Sequence, residues 1–377
     1  MNFEFATANR IVFGPGKFRE LPELARVNGT SAMVVVGKRS DRTEAIRHSL
    51  NARGIAVTLF AAPSEPTINL VTEGAAQARL QKCDSVIGIG GGSVMDAAKA
   101  VAALATNRRP TSDYLEVIGA GQTLQERPLP VIAIPTTAGS GAEVTRNAVL
   151  TAEEQKIKVS LRHAWMLPSV ALIDPELTHS MPPAITAATG MDALSQLIEP
   201  FVSSKANPFT DALCREGLGL VAHSLRKAFE SGNDAAAREE MALASLFGGL
   251  ALTNSGLGAI HGFAAPFGAM YHAPHGAVCA ALLAPVMRMN IRRVAKTDRF
   301  EEVARRLTGN HRASAADGAN WVEQLTKDLA IPGLASYGLR EAGFDGLIVK
   351  AKNASSMRAN PVSLTDAELA EILREAL

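Results

Sequence analysis

Nothing in the charge of these 377 residues reaches out to a large charged partner: 38 Lys and Arg stand against 37 Asp and Glu, a formal net charge of +1. No long block of either sign occurs, so bulk attraction to nucleic acid or to an anionic membrane is excluded. Cysteine is scarce. Cys83, Cys214 and Cys279 are odd in number, far apart and without a C-x-x-C pair; they exclude a disulfide framework and fit reduced thiols in a cytoplasmic protein. No uninterrupted apolar run reaches the roughly 18–20 residues of a membrane-spanning helix. The opening Met1-Asn2-Phe3-Glu4-Phe5 has neither the basic nor the apolar region of a secretory signal. Internal repeats and low-complexity tracts are also lacking. These absences leave a small molecule as the expected partner.

What is there has the length for two domains. The first half alternates short apolar runs with helical patterns. Met33–Val36, Val57–Phe60, Ser85–Ile89 and Val131–Ile134 read as strands, and Thr43–Arg53 and Ile68–Leu80 as helices. Continuous apolar strands between helices predict a parallel sheet covered on both faces, an α/β domain that takes ligands beyond the carboxyl ends of its strands. Prolines 175, 182 and 183 punctuate the chain, and β-rich runs almost vanish after them. Ala184–Ser203, Asp211–Phe229, Ala235–Thr253 and Arg299–Leu307 are helical by pattern. The expected division is residues 1–180 for the α/β domain and 181–377 for a mainly α-helical one, and the cleft between two dissimilar domains is the expected place for cofactor and substrate to meet.

Two loops carry chemistry. Gly88 to Lys99, with Gly90, Gly91, Gly92 and Ser93 at its centre, follows a strand and opens a helix. Glycines there let backbone approach a diphosphate, and the free N–H groups of a helix start bind its oxygens. The spacing matches neither G-x-G-x-x-G nor a P-loop, and a tight turn with no ligand has the same composition. The second loop, Pro135–Thr145, offers Thr136, Thr137 and Ser140 after another strand; it suits a polar ligand or a plain solvated turn equally.

The stretches GGGSVMDAAK (Gly90–Lys99), PTTAGSGAEVT (Pro135–Thr145), GMDAL (Gly190–Leu194), HGFAAPFGAMYHAPHG (His261–Gly276) and ANP (Ala359–Pro361) occur in this order along nearly the whole chain, with FGPG (Phe13–Gly16) near its start. In that order they resemble the iron-containing (group III) alcohol dehydrogenases. The resemblance implies an N-terminal nucleotide-binding domain with a parallel sheet and a helical C-terminal domain, an architecture shared with dehydroquinate synthase, with the active site between them. It implies that Gly90, Gly91, Gly92 and Ser93 hold the cofactor diphosphate, that Asp96 is among the cofactor-binding residues, that Thr136, Thr137 and Ser140 line the nicotinamide side, and that Lys158 contacts the ribose. NAD-preferring relatives often carry an Asp after the strand equivalent to Met33–Val36; here Gly37, Lys38 and Arg39 stand instead. Loss of the carboxylate beside two cations favours NADPH over NADH. A homodimer or higher homo-oligomer is implied as well.

The resemblance also implies a divalent metal, Fe or Zn, held by an Asp, a His four residues later on the same helical face, and two further His fourteen residues apart. Asp192, His261 and His275 match in type and spacing, but Gln196 occupies the position of the first His, and Ala265 stands where many members have another active-site His. An amide oxygen is a weaker ligand than imidazole for these metals, so the site is expected either to hold metal through three strong ligands or to work without one. With metal, a Lewis acid polarises the carbonyl; without it, His261, His272 or His275 has to donate the proton. Arg358 is either an anchor for an acidic substrate group or a surface arginine. The expected activity is hydride exchange between a nicotinamide and a small carbonyl or alcohol. A metal-independent reductase of the maleylacetate reductase type, a dehydroquinate synthase-like lyase and a catalytically silent nucleotide-binding protein are the alternatives.

Overall fold

The apolar runs form strands because both of their faces are covered. In the computed structural model, which describes residues 2–38, 41–155 and 157–377, the α/β unit is built from β1 (Arg10–Phe13), α1 (Leu21–Asn28), β2 (Ser31–Val36), α2 (Asp41–Asn51), β3 (Ala56–Ala61), α3 (Ile68–Leu80), β4 (Ser85–Gly90), α4 (Gly92–Thr106), α5 (Thr111–Tyr114), β5 (Val131–Pro135), β6 (Asn147–Ala152), β7 (Ile157–Arg162) and β8 (Val170–Ile173). Six strands pair in parallel in the order β1-β8-β5-β4-β2-β3. Along β2 and β4, Met33, Val35 and Val86 point into one core with Val71, Ala75 and Val101 from α3 and α4. Ala32, Val34, Val36, Ile87 and Ile89 point into the other, with Leu21, Leu24, Ile46 and Leu50 from α1 and α2. Successive residues thus serve opposite faces, and apolar side chains line both. The remaining strands, β6 and β7, make an antiparallel hairpin.

Strand order fixes where a ligand can enter this unit. From β2 the chain moves outward to β3, and from β4 it moves the opposite way to β5. The loops leaving these neighbouring strands therefore part at their carboxyl ends, the crevice in which open α/β sheets bind ligands.

The second unit consists of residues up to Ala6, Ala138–Gly141 and His179–Leu377. Its boundary at residues 178/179 lies two residues before the expected one, and the short segment Ala138–Gly141 belongs to it although the flanking chain does not. It contains α6 (Pro183–Val202), α7 (Pro208–Glu230), α8 (Ala235–Ser255), α9 (Ala259–Tyr271), α10 (His275–Arg293), α11 (Asp298–Thr308), α12 (Ala315–Asp328), α13 (Phe344–Asn353) and α14 (Asp366–Glu375). The helix α6 packs against α7, α8 and α10, and its Met191, Leu194, Leu197 and Phe201 are fully buried in a single large core. No single helix among the described residues is long and apolar enough to cross a membrane.

One charged pair is buried in the α/β unit. Lys99 of α4 donates to the carbonyl of Ala142 at 3.0 Å and to Thr145 Oγ1 at 2.8 Å, and lies 3.1 Å from Asp96. Glu143, in the same turn, is 2% exposed, and its Oε2 has no hydrogen-bond partner. Burial pushes the Glu143 carboxyl up to about 7, against the pull of its own backbone N–H and of Lys99. A folded pKa above the unfolded one means that the native state binds the proton more tightly. The associated stability is present below pH ~4.5 and is lost as pH rises to about 7, by on the order of 3 kcal/mol. Glu143→Gln carries no such charge, so its melting temperature should gain on the wild type's between pH 5 and pH 8. Thermal unfolding of both proteins at the two pH values checks this; an equal difference at both would refute it.

Candidate metal and cofactor sites

On α6, Asp192, Gln196 and Glu199 are spaced at i, i+4 and i+7 and share one face. All three are polar, and all are at most 5% exposed, so each needs a partner within the protein. The partners come from α9 and α10. His261, in the first turn of α9, places Nε2 3.2 Å from Asp192 Oδ1 and Nδ1 2.6 Å from Glu199 Oε2. An ionised carboxylate only accepts, so Nδ1 carries a proton directed at Glu199. The other Glu199 oxygen accepts the backbone N–H of Ile260 at 2.7 Å, and Asn360 Oδ1 accepts that of Ala259 at 3.2 Å. These are N–H groups that a helix start leaves without an internal partner. One carboxylate thus caps α9 and orients its histidine.

His275 opens α10. A Cβ on the next residue, Gly276, would lie 2.0 Å from the carbonyl oxygen of Ala188, so only glycine lets α10 start this close to α6. The approach brings His275 Nε2 to 3.8 Å from Asp192 Oδ1. One turn on, Cys279 Sγ lies 3.7 Å from His275 Nε2 and 3.9 Å from His261 Nε2. Asp192, His261, His275 and Cys279 each offer a donor atom within 4.8 Å of the others. Asp192, His261 and Cys279 are buried, whereas the His275 side chain is 35% exposed.

The charges of the cluster answer one another. Burial alone would raise the Asp192 carboxyl, but the hydrogen bond from His261, the charges of both histidines and the Gln196 amide hold it below its usual range. Burial alone would lower His261, yet Cys279, Glu199 and Asp192 lift it well above the ordinary imidazole range. His275 is raised against burial by Cys279 and Asp192. The Cys279 thiol, also opposed by burial, is lowered by His275 and His261. The imidazole nitrogens face the Asp192 oxygen and the Cys279 sulfur, and any proton between them occupies a lone pair that a divalent cation would use in its place. Donor set and spacing therefore fit such an ion, with Glu199 supplying the carboxylate that often backs a metal-binding histidine.

Two residues expected at this site are placed differently. Gln196 donates its amide to Asp192, and its Oε1 is buried without a partner beside Gly248 of α8. His272 caps the end of α9 in a left-handed conformation, φ 53°, and is exposed outside the cluster. Arg358 is exposed as well. Glu199 and Cys279 were not anticipated. A carboxylate seven residues after Asp192 in an apolar helix, and a thiol four residues after His275, are the signals that would have found them.

In the α/β unit the glycine-rich turn joins β4 to α4 at the parting of the loops. A Cβ on Gly90 would lie 2.6 Å from Val94 Cγ2, so Gly90 is glycine for packing. Gly91 differs: its backbone is extended, φ −77° and ψ −174°, and a Cβ would have ordinary clearance, 3.5 Å, from Thr137. No protein atom demands glycine there, and a ligand drawn close to the backbone would. As N-cap, Gly91 offers no side chain to the first turn of α4, which leaves the amides around Gly92 and Ser93 for an anion. Gly37, at the end of β2, and Thr136, whose N–H donates to the carbonyl of Gly90 at 2.9 Å, border the same turn with Thr137. This cradle fits a dinucleotide diphosphate. Lys38 is exposed and Arg39 lies outside the described residues. Lys158, its side chain 7% exposed, pairs with Glu65 at 2.5 Å. Ser140 belongs to the helical unit. Asp96, expected at the cofactor, has its oxygens on Lys99 at 3.1 Å and on the N–H of Val149 at 3.0 Å; it ties α4 to the hairpin.

Comparison with known proteins gives the family. Residues 8–175 match the iron-containing alcohol dehydrogenase family, and residues 186–377 match the C-terminal part of the Fe-containing alcohol dehydrogenase family. The chain is 35% identical to alcohol dehydrogenase 4 of Schizosaccharomyces pombe over 374 residues, covering 97% of this chain and 87% of that one. It is 34% identical to the NAD-dependent methanol dehydrogenase of Bacillus methanolicus, covering 97% of each. Among solved structures, a 1,3-propanediol oxidoreductase superposes with a TM-score of 0.94 at 34% identity over all of both chains. The chain therefore belongs to the iron-containing alcohol dehydrogenases and is an oxidoreductase acting on CH–OH groups.

Proposed function

We propose that the chain interconverts a small alcohol and its aldehyde or ketone with a nicotinamide cofactor, using a divalent ion held by Asp192, His261 and His275. The observation that carries this reading is the gathering of those three side chains from α6, α9 and α10, with Glu199 fixing the proton on His261. When bound, the nicotinamide exchanges hydride with the carbonyl carbon and the ion polarises the carbonyl oxygen. The chain's own residues do the holding. The amides at Gly91–Ser93 bind the diphosphate, with the Thr136 backbone and the Thr137 side chain bordering the turn, and Lys158, kept in place by Glu65, serves the ribose. His275, the exposed member of the cluster, is the group nearest to arriving substrate and to solvent protons. A cytoplasmic location fits three free cysteines, and a homodimer or higher homo-oligomer belongs to the same reading.

The test is an aldehyde, ketone and alcohol panel with NADH and NADPH, on protein whose metal content has been measured and again after exhaustive chelation. Carbonyl-dependent oxidation of the cofactor, lost on chelation and restored by Zn or Fe, is expected. Substrate conversion without change in nicotinamide absorbance would point instead to a lyase, and cofactor binding without any turnover to a silent binding protein.

Two substitutions probe the cofactor site. Gly91→Val should leave folding intact, since the backbone is extended and the Cβ has room, yet weaken cofactor binding by at least about tenfold. Cofactor fluorescence titration beside a thermal melt reads both, and unchanged affinity would show the diphosphate to lie elsewhere. For the adenosine end, the wild type should accept NADPH at least as well as NADH, and Gly37→Asp should shift the ratio of kcat/KM values toward NADH by about tenfold or more. A wild type that strongly prefers NADH would overturn this.

A further inference from the structure

With Gln196 turned to Asp192, the metal reading leaves α6 contributing one ligand where two were expected. We propose that Cys279 supplies the missing one, so that the centre is Asp192, His261, His275 and Cys279, a set of one carboxylate, two imidazoles and one thiolate that takes zinc in preference to iron. The inference rests on the metal site proposed above and changes its composition and selectivity; a substrate oxygen would then have to join as a fifth ligand, an expansion that zinc allows.

Distances support it first. For zinc at about 2.0 Å from N and O donors and about 2.3 Å from sulfur, the edges of a tetrahedron of ligands are about 3.3 Å for N···O and about 3.6 Å for S···N. The corresponding N···O distances here are 3.2 and 3.8 Å, and the S···N distances 3.9 and 3.7 Å. All lie within roughly half an ångström of the ideal edges, a difference that small side-chain rotations absorb. The placement is also that of a paired ligand. His275 and Cys279 stand at i and i+4 on α10, so both reach one point from one helical face, as the expected pair on α6 would have done. Among the described residues, Cys83 and Cys214 belong to no such group.

Charge supports it next. The cluster is buried on every side but that of His275, and an uncompensated charge in such a place is costly. A divalent ion on one carboxylate and neutral donors would leave a net +1 on the ligands, answered only across the His261 ring by Glu199, whereas a thiolate brings the ligand shell itself to zero. Binding releases the Cys279 thiol proton and any proton on the imidazole Nε2 atoms to solvent. A soft thiolate shifts preference toward zinc and away from the oxygen- and nitrogen-loving Fe(II).

The experiment loads the full chain with one equivalent of Co(II) or Zn(II), for the wild type, C279S, C279A and H261A, with circular dichroism to confirm folding. Wild-type Co(II) protein should show a near-ultraviolet thiolate-to-cobalt band, and zinc-edge X-ray absorption should require one sulfur at about 2.3 Å. C279S and C279A should lose the band and the sulfur, bind zinc at least about tenfold more weakly, and show a smaller preference for zinc over Fe(II) in competition. H261A should bind neither ion at one equivalent. Wild-type protein that binds one ion with no band and no sulfur, with C279A binding equally well, would overturn the role of Cys279 and leave the three-ligand site standing. Wild-type protein that binds no ion but still turns over would overturn both.

Discussion

A carboxylate buried in an apolar helix has to be paired, and in the helical unit that requirement falls on Asp192. Its position on α6, 5% exposed, can be occupied only if hydrogen-bond donors arrive from elsewhere in the chain. They arrive from α9, from the start of α10 and from Gln196 of the same helix. The arrangement of these helices and the composition of the site thus answer to one electrostatic demand. Glycine at 276 is the steric counterpart, because without it α10 cannot begin where His275 meets Asp192.

The α/β unit meets a different constraint by different means. Its sheet is covered on both faces, so nothing polar can approach except at strand ends, and the order of strands selects which ends. The turn after β4 then separates two uses of glycine: Gly90 clears room for Val94, while Gly91 clears room for nothing in the protein. Only the second use speaks of a ligand.

Much of this was legible in the amino-acid sequence. Ser85–Ile89 and Val131–Ile134 read as strands because buried parallel strands have no polar alternation to obscure them, and Ile68–Leu80 is the observed α3 to the residue. β1 and β8 escaped, being only four residues long and paired with each other across most of the unit, and the β6–β7 hairpin escaped because buried and part-exposed residues alternate along it in place of a continuous apolar run. Helices α9 and α10 were seen as motifs and not as helices, since His261–Gly276 is dense in Gly and Pro and its helical periodicity is masked. Asp192, His261 and His275 were marked by the family resemblance, whose ligand types and spacing they match. Glu199 and Cys279 carry no such mark: Glu199 lies beyond the i+4 position that Gln196 fills after Asp192, and a lone thiol in an apolar helix resembles any core cysteine. What spacing within one helix cannot convey is which side chains of different helices converge.

The double duty of Glu199 has a consequence for the order of events. One of its oxygens holds the first turn of α9 and the other holds the ring of His261, so the helix cannot dock without the imidazole being set. The rotamer of that ligand and the nitrogen that keeps its proton are decided during folding. The conformational entropy of ordering this side chain has then been lost already when an ion arrives, and what remains at Nε2 is the exchange of a proton for a metal. Changes at position 199 should therefore be felt in the docking of α9 as soon as in the chemistry, which binds the history of the site to that of the fold around it.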